Sequence, residues 1–279
     1  MERIGDLTIY DGTEKESAWA FVARILRESF ASRYIIYNLV QNNLRSRYRR
    51  SYLGFAWSLL NPLLTMAVLA VVFAGVFQQS LRSFGLYIFS GLLPWGFVSG
   101  ALTLGCASFV QSEGFLRKVR VSMATFPLVA VTTESVNFIF SLVSLLLLAI
   151  VIRADVHLSL LALPFAMLLT ILFVTGISVA VGVANVYFRD MPYLISVGLN
   201  IWFYTVPIIY PFKLLPPTLK GLLAFNPLYY YITLFQALIF EGVMPPLKTW
   251  GLCAGIAALS LACGLLFLKI KENEIIFKL

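Results

Sequence analysis

Four stretches of this chain run for nineteen or more residues without a charged side chain: Phe55 to Gln78, Leu86 to Val110, Leu158 to Val186 and Trp250 to Leu268. A fifth, Pro127 to Ile152, holds a single carboxylate, Glu134. A helix that crosses a bilayer needs about 20 predominantly apolar residues, so each of these runs predicts a membrane span. Composition leaves no other place for them. The chain has 279 residues, 60% of them hydrophobic and 12% charged, against roughly 25% charged in soluble domains. A sixth segment, Tyr193 to Tyr210, is slightly short but starts cleanly after Pro192. The first apolar run comes only after a long polar and amphipathic stretch, unlike the arrangement of a cleavable signal peptide. The first span is therefore expected to act as its own insertion signal.

Topology follows from the basic residues. Sixteen of the 21 lysines and arginines lie before residue 51, in the loops near 111–126 and 189, or after residue 268. Only Arg82, Arg153, Lys213, Lys220 and Lys248 fall on the other side. Lysine and arginine accumulate on the cytoplasmic side of membrane helices, so six spans with both termini in the cytoplasm are expected. Residues 222–240 are apolar enough for a seventh span, but counting it would put the basic C-terminus outside. Pro211, Pro216 and Pro217 precede this stretch and Asn226-Pro227 lies near its start, and proline removes backbone donors and forces turns. A re-entrant pair of short helices, at about 213–243, fits better. Irregular backbone at membrane depth must be covered by protein or line a water-filled cavity, so the hairpin implies an enclosed external vestibule.

Before the spans, residues 1–14 read as a polar arm. From Ser17, Trp19, Phe21, Val22, Ile25, Leu26 and Phe30 alternate at helical spacing with Arg24, Arg27, Glu28 and Arg33. That pattern predicts an amphipathic helix lying on the membrane surface, packed on another protein surface, or both. The organisation expected is an arm and interface helix over 1–50, a six-span domain over 51–270 and a cytoplasmic tail over 271–279.

Catalytic chemistry finds little to work with. Glu134 is the one carboxylate inside a predicted span, Glu113 and Asp190 lie in loops, and the single histidine, His157, sits in a short loop. No nucleophile–base pair, carboxylate pair or metal-ligand cluster is legible. The sequence lacks GxxxxGK[ST], so ATP is not expected to bind here through a P-loop. Cys106, Cys253 and Cys263 lie inside apolar runs and read as small buried residues. The net charge of +8 sits in short flanks of apolar segments, which marks orientation and anionic lipid rather than nucleic acid. Glu134 itself reads in two ways: a polar contact on a transport path, or a packing group bonded to Thr132, Thr133 or a neighbouring span. Small residues at four-residue spacing, Gly96/Gly100, Gly176/Ala180/Ala184 and Ala254/Ala258/Ala262, predict close helix approach.

One stretch carries more specific wording. Residues 45–62 read Arg-Ser-Arg-Tyr-Arg-Arg-Ser-Tyr-Leu-Gly-Phe-Ala-Trp-Ser-Leu-Leu-Asn-Pro, and this resembles the start of the first span in type-2 ABC transporter permeases that export polysaccharides. Gly91-Leu-Leu-Pro-Trp95, Leu116-Arg-Lys-Val119, Phe188-Arg-Asp-Met191 and Phe225-Asn-Pro-Leu228 follow in the family's order. The resemblance covers roughly residues 30–270, and its wording is closer to O-antigen and teichoic-acid exporters than to capsule permeases. One departure is the spacer Val121-Ser-Met-Ala-Thr between Arg120 and Phe126-Pro127, where family members often have few residues.

The resemblance implies an all-α polytopic subunit of a bacterial inner-membrane exporter, working as a homodimer with two copies of a separate ATPase that would hold ATP and magnesium. The substrate implied is a lipid-linked glycan entering from the cytoplasm between protomers. ATPase coupling would fall to Glu113, Phe115, Arg117 and Lys118 and to the turn Phe188, Arg189 and Asp190. Asn226, Pro227, Tyr229 and Tyr230 would belong to an external gate.

Two further groups of residues join this reading. Arg45, Arg47, Arg49 and Arg50 match phosphate oxygens in bidentate fashion and would draw in the pyrophosphate of a lipid carrier, or would serve only as positive-inside anchors. On a helix, Tyr48, Tyr52 and Phe55 share one face and Tyr193, Asn200 and Tyr204 another. With Trp57 and Glu134 these are the candidate channel-lining residues, since aromatic faces stack on sugar rings; interface belts and helix packing are the competing explanation. Within the family an O-antigen type of polysaccharide is the leading substrate; teichoic acid or capsule export and export of drugs or lipids are the alternatives. Other classes are an ion-coupled carrier, disfavoured by the scarcity of buried charge, and a membrane enzyme, disfavoured by the lack of a catalytic constellation.

Overall fold

The computed structural model describes residues 3–4, 7–8, 17–48, 51–78, 80–116, 121–151, 157–212 and 215–279. Apart from one antiparallel pair, Arg3–Ile4 with Leu7–Thr8, the regular structure described is helical. The N-terminal region forms two helices, α1 (Ala18–Ala31) and α2 (Arg33–Tyr48), separated at Ser32. Ser17 caps α1 by accepting a hydrogen bond from the Ala20 amide at 3.2 Å, which satisfies one of the orphan donors of the first turn. A 3-10 turn, Gly54–Ala56, leads into α3 (Trp57–Val76). Then come α4 (Leu81–Gln111), the single turn α5 (Glu113–Leu116), α6 (Thr125–Val151) and α7 (Leu163–Tyr187). The last elements are α8 (Met191–Tyr204), α9 (Pro217–Leu223), α10 (Pro227–Gln236, extended by a π turn to Glu241) and α11 (Leu247–Lys278).

Four of these segments are each long and apolar enough to cross a membrane: Leu81–Gln111, Thr125–Ala149, Leu158–Tyr187 and Leu247–Ile275. A fifth crossing arises if Pro217–Leu223 and Pro227–Glu241 are taken as one broken span, bent by 102°. The 20-residue α3 and the 14-residue α8 are apolar but outside that group. At 1.5 Å per residue α8 reaches only about 21 Å, short of a ~30 Å hydrocarbon core. The predicted segment continued to Tyr210, but the helix stops at Thr205, two residues before Pro207, which has no amide to continue the ladder.

The 31-residue α4 is the axis of the molecule, packing against α3, α6, α7, α8 and α10, while α11 packs along α7. Phe97 stacks on Phe138 of α6 at 5.1 Å, Phe138 meets Phe235 of α10, and Phe173 of α7 stacks on Tyr231 at 4.7 Å. Backbone-directed bonds tie the same helices. Ser178 donates to the Ala101 carbonyl, Asn185 to that of Cys106, Ser260 to that of Phe173 and the Tyr231 hydroxyl to that of Cys253. Between membrane helices each such bond contributes about 0.6 kcal/mol.

Close approach of α7 and α11 depends on two glycines. A Cβ on Gly176 would lie 2.3 Å from the Ser260 carbonyl carbon, and one on Gly264 would lie 2.2 Å from the Gly176 carbonyl oxygen. Gly176 thus does what its spacing predicted, but its partner stripe is different. Ala254, Ala258 and Ala262 are exposed, and α11 turns Cys253, Ala257, Gly264 and Leu268 inward instead. Steps of 4, 7 and 4 residues follow the 3.6-residue period, whereas a strict four-residue stripe drifts around the helix.

Candidate functional site

Because α4 is continuous, features near Gln111 and features near Leu81 mark opposite ends of the molecule, and candidate residues collect at three levels along it.

The first is a polar cluster where α2 meets α6. Val40 of α2 is buried, Asn43 donates to Thr133 at 3.5 Å, and Arg47 in the last turn donates to Glu134. Asn137, one turn further along α6, donates to the other carboxylate oxygen at 3.1 Å. The Glu134 side chain is 7% exposed and that of Arg47 40%. Across the interface, a Cβ on Gly100 of α4 would sit 3.0 Å from the same carboxylate. A buried carboxylate is tolerable only when a cation and hydrogen bonds compensate it; here Arg47 and Asn137 do so, rather than Thr132 or Thr133. Thr133 donates instead to the Val129 carbonyl of its own helix. Of the four arginines, Arg45 is exposed and Arg47 is engaged with Glu134. Arg49 and Arg50 lie outside the described residues.

The aromatic faces divide. α2 ends at Tyr48, residues 52–53 form a bend, and Gly54 has φ +49°. Tyr48, Tyr52 and Phe55 therefore do not share one helical face. The left-handed backbone at Gly54 breaks the helix that spacing assumed. Tyr52 is fully exposed and Trp57 is 44% exposed, while the side chains of Tyr48 and Phe55 lie outside the description. Tyr193, Asn200 and Tyr204 do lie on one helix, α8, and all three are exposed. Leu199 is the only α8 residue that is buried.

The second level is the Gln111 end of α4. α5 presents Glu113, while Phe115 packs edge-on against Phe126 at 6.1 Å; Arg117 and Lys118 lie outside the described residues. The α7–α8 turn exposes Phe188, Arg189 and Asp190, closed by a hydrogen bond from the Met191 amide to the Phe188 carbonyl at 3.0 Å. Both elements sit on one apolar cluster that includes Phe109, Phe126, Val183, Val186 and Leu268. Phe21 and Ile25 of α1 are buried in it, whereas Trp19, Leu26 and Phe30 are exposed. The amphipathic face is thus shared between the protein and the surroundings.

The third level, at the Leu81 end, is organised by Asn226. Its Oδ1 accepts from the Leu228 amide at 3.0 Å, capping α10, and from Trp202 Nε1 at 2.8 Å. Its Nδ2 donates to the backbone and side-chain oxygens of Thr205, both at 3.1 Å. One side chain thereby ties the end of α8 to the α9–α10 corner, with Pro227 in the first turn of α10. Tyr229 packs on Phe212 and Tyr230, whose hydroxyl donates to the Ala224 carbonyl. Beside them a cavity of 560 Å³ opens between Trp202, Tyr204, Leu219, Leu222 and Pro227. Tyr87 and Gln236, which no motif marked, both donate to the Pro207 carbonyl. Their only signal was polarity within apolar runs. Gly242 ends the π turn at φ +67°, where a Cβ would strike His157.

Comparison with known proteins bears on this arrangement. Residues 34–240 match the family model described as ABC-2 type transporter. The O-antigen export system permease protein RfbA of Myxococcus xanthus is 32% identical over 80% of this chain and 86% of that protein. Its namesake from Klebsiella pneumoniae is 27% identical over 74% and 80%. The polysialic acid transport protein KpsM of Escherichia coli is 21% identical over 85% and 93%. With all but the first residue of α2, and everything from there through Gln236 of α10, inside the matched segment, the chain belongs to the ABC-2 type transporter family, as a multi-pass membrane permease.

Proposed function

We propose that this chain is the membrane subunit of an exporter that moves a lipid-linked polysaccharide of the O-antigen type across the bacterial inner membrane. The similarity to O-antigen export permeases over four-fifths of the chain carries the reading. Two copies of the chain form the path between them, and two copies of a separate ATPase, which bind ATP and magnesium, drive it. In this reading α3 and α8 complete six crossings, both termini are cytoplasmic, and α9–α10 is a re-entrant gate on the external side.

In this reading the roles divide as follows. Glu113, Phe115, Arg117, Lys118 and the exposed turn Phe188–Asp190 receive the ATPase. Arg45, Arg49 and Arg50 offer charge to the carrier's phosphates. Arg47 is fastened to Glu134 and so joins α2, which precedes the first span, to α6. Tyr193 and Tyr204 on the outward face of α8, with Tyr52 and Trp57 near the start of α3, supply aromatic surface along which a sugar polymer slides, and Asn200 adds a hydrogen-bonding amide between the two tyrosines. Asn226, Pro227, Tyr229 and Tyr230 hold the gate corner. A capsule-type polymer is the second reading, favoured by the extent of the match to KpsM.

Depletion in the native cell tests the function. Lipid-linked glycan is expected to accumulate inside while surface glycan disappears, and its composition separates O-antigen from capsule. Unchanged surface glycan without internal build-up would sink the reading and leave drug or lipid export.

A further inference from the structure

The predicted cytoplasmic tail is not a separate element: α11 continues without a break to Lys278. Its last ten residues extend about 15 Å beyond Leu268, at the end where α5 and the Phe188–Asp190 turn sit. This extension is gripped from two sides. Toward α1, Arg24 makes a two-pronged ion pair with Glu272, at 2.7 and 3.3 Å, with both side chains 21% exposed. Arg24 also reaches Glu28 at 3.5 Å and lies over the Phe21 ring, as does Lys269 of α11. Toward α7, the Tyr187 hydroxyl donates to Glu274 at 2.8 Å, Lys271 pairs with Glu274, and Lys278 lies 4.3 Å from the Tyr187 ring centroid.

Residues two apart on a helix point to nearly opposite sides, so Glu272 and Glu274 address different neighbours. Between them the fully buried Leu268 and Ile275 fill an apolar seam with Phe21, Ile25, Val183 and Val186. Tyr187 immediately precedes the exposed turn at Phe188. Both α1 and α11 lie outside the segment matched by the family model. From this we infer that the C-terminal extension of α11 is a brace that makes α1 and the Phe188–Asp190 turn move as one body. Arg24 and Glu272 are its positioning residues. Resting on the export reading, the brace converts a push on that turn into displacement of α1, and through α2 and Arg47 into displacement of α6.

The distance measurement uses the full chain in lipid with its ATPase partner, and Cys263→Ser to remove an exposed thiol. Spin labels go at the exposed positions Trp19 and Leu194, the latter one helical turn past the Phe188–Asp190 turn; export and hydrolysis are read on the unlabelled chain. Glu272→Arg is expected to broaden the label-to-label distance, and Arg24→Glu in the same chain to restore it. In the complex, glycan exported per ATP hydrolysed should fall roughly tenfold in the single variant, within the range of couplings between linked sites, and recover in the swap. Glu272→Gln, which keeps the side-chain size, serves where the charge reversal fails to insert. An unbroadened distance in the variant overturns the brace, as does broadening that the swap does not repair. Equal loss of hydrolysis, export and membrane abundance without rescue also overturns it, since that marks a fold contact alone. If the unaltered complex moves no glycan on ATP, the export reading fails, while the distance measurement still decides the brace.

Discussion

Removing Arg47 and removing Glu134 are different injuries. Without Arg47 a carboxylate that is 7% exposed keeps, among the described residues, just its bond from Asn137, and a stranded buried charge is costly. Without the Glu134 charge, Arg47, with its side chain 40% exposed, is still reached by water. Arg47→Ala is therefore expected to cost about 2–3 kcal/mol and Glu134→Gln about 1 kcal/mol. Exposed Arg45→Ala should stay within about 0.5 kcal/mol. Thermal unfolding in detergent reads all three, and the double variant should cost less than the sum of the singles. Equal effects at Arg45 and Arg47 would mean that the Arg47–Glu134 pair does not contribute to stability. At this scale the sequence announced that Glu134 needs a partner, but hydropathy has no means of selecting one 87 residues away. Which side chain reaches it depends on how α2 is rotated against α6.

Among the elements, the α7–α11 pair shows how a helix face is chosen. Gly176→Ala places a methyl group against the backbone of Ser260 and forces two long helices apart, at about 1–3 kcal/mol for overpacking. Gly96→Ala meets no atom within 4 Å and should gain up to about 1 kcal/mol in helix propensity. Opposite shifts in melting temperature are the expected outcome, and a harmless Gly176→Ala would contradict the packing. Four-residue spacing drew attention to Gly176, and also to Ala254, Ala258 and Ala262, which face outward. Spacing identifies surfaces smooth enough for contact. It does not say whether another helix, lipid or a second copy covers them.

For the whole molecule, the distribution of lysine and arginine makes a prediction independent of any contact. In a chain carrying Cys263→Ser, a cysteine at Leu222 should react with a membrane-impermeant thiol reagent added outside intact cells. One at Arg189 should react only after the membrane is opened. Labelling of both from the same side would contradict six crossings and the re-entrant gate. Length was legible for α4, α6 and α7 because runs of uncharged residues integrate into a clear signal, whereas α11 runs ten residues past its predicted end at Leu268. α8 was not legible either: proline and threonine ended its helix inside an apolar stretch, and hydropathy does not register where a backbone ladder stops.

The sequence by itself determined that this is a polytopic membrane protein, which apolar runs become helices, and to which family its ordered motifs point. These are sums over neighbours along the chain, and the cost of burying charge or bare backbone in lipid leaves them little freedom. Only the tertiary structure decided that Arg47 meets Glu134, that Arg24 meets Glu272 across 248 positions, and that Asn226 gathers Trp202 and Thr205. Such pairings depend on the rotation and depth of each helix. Those are set by close packing around α4, which no local stretch of sequence contains.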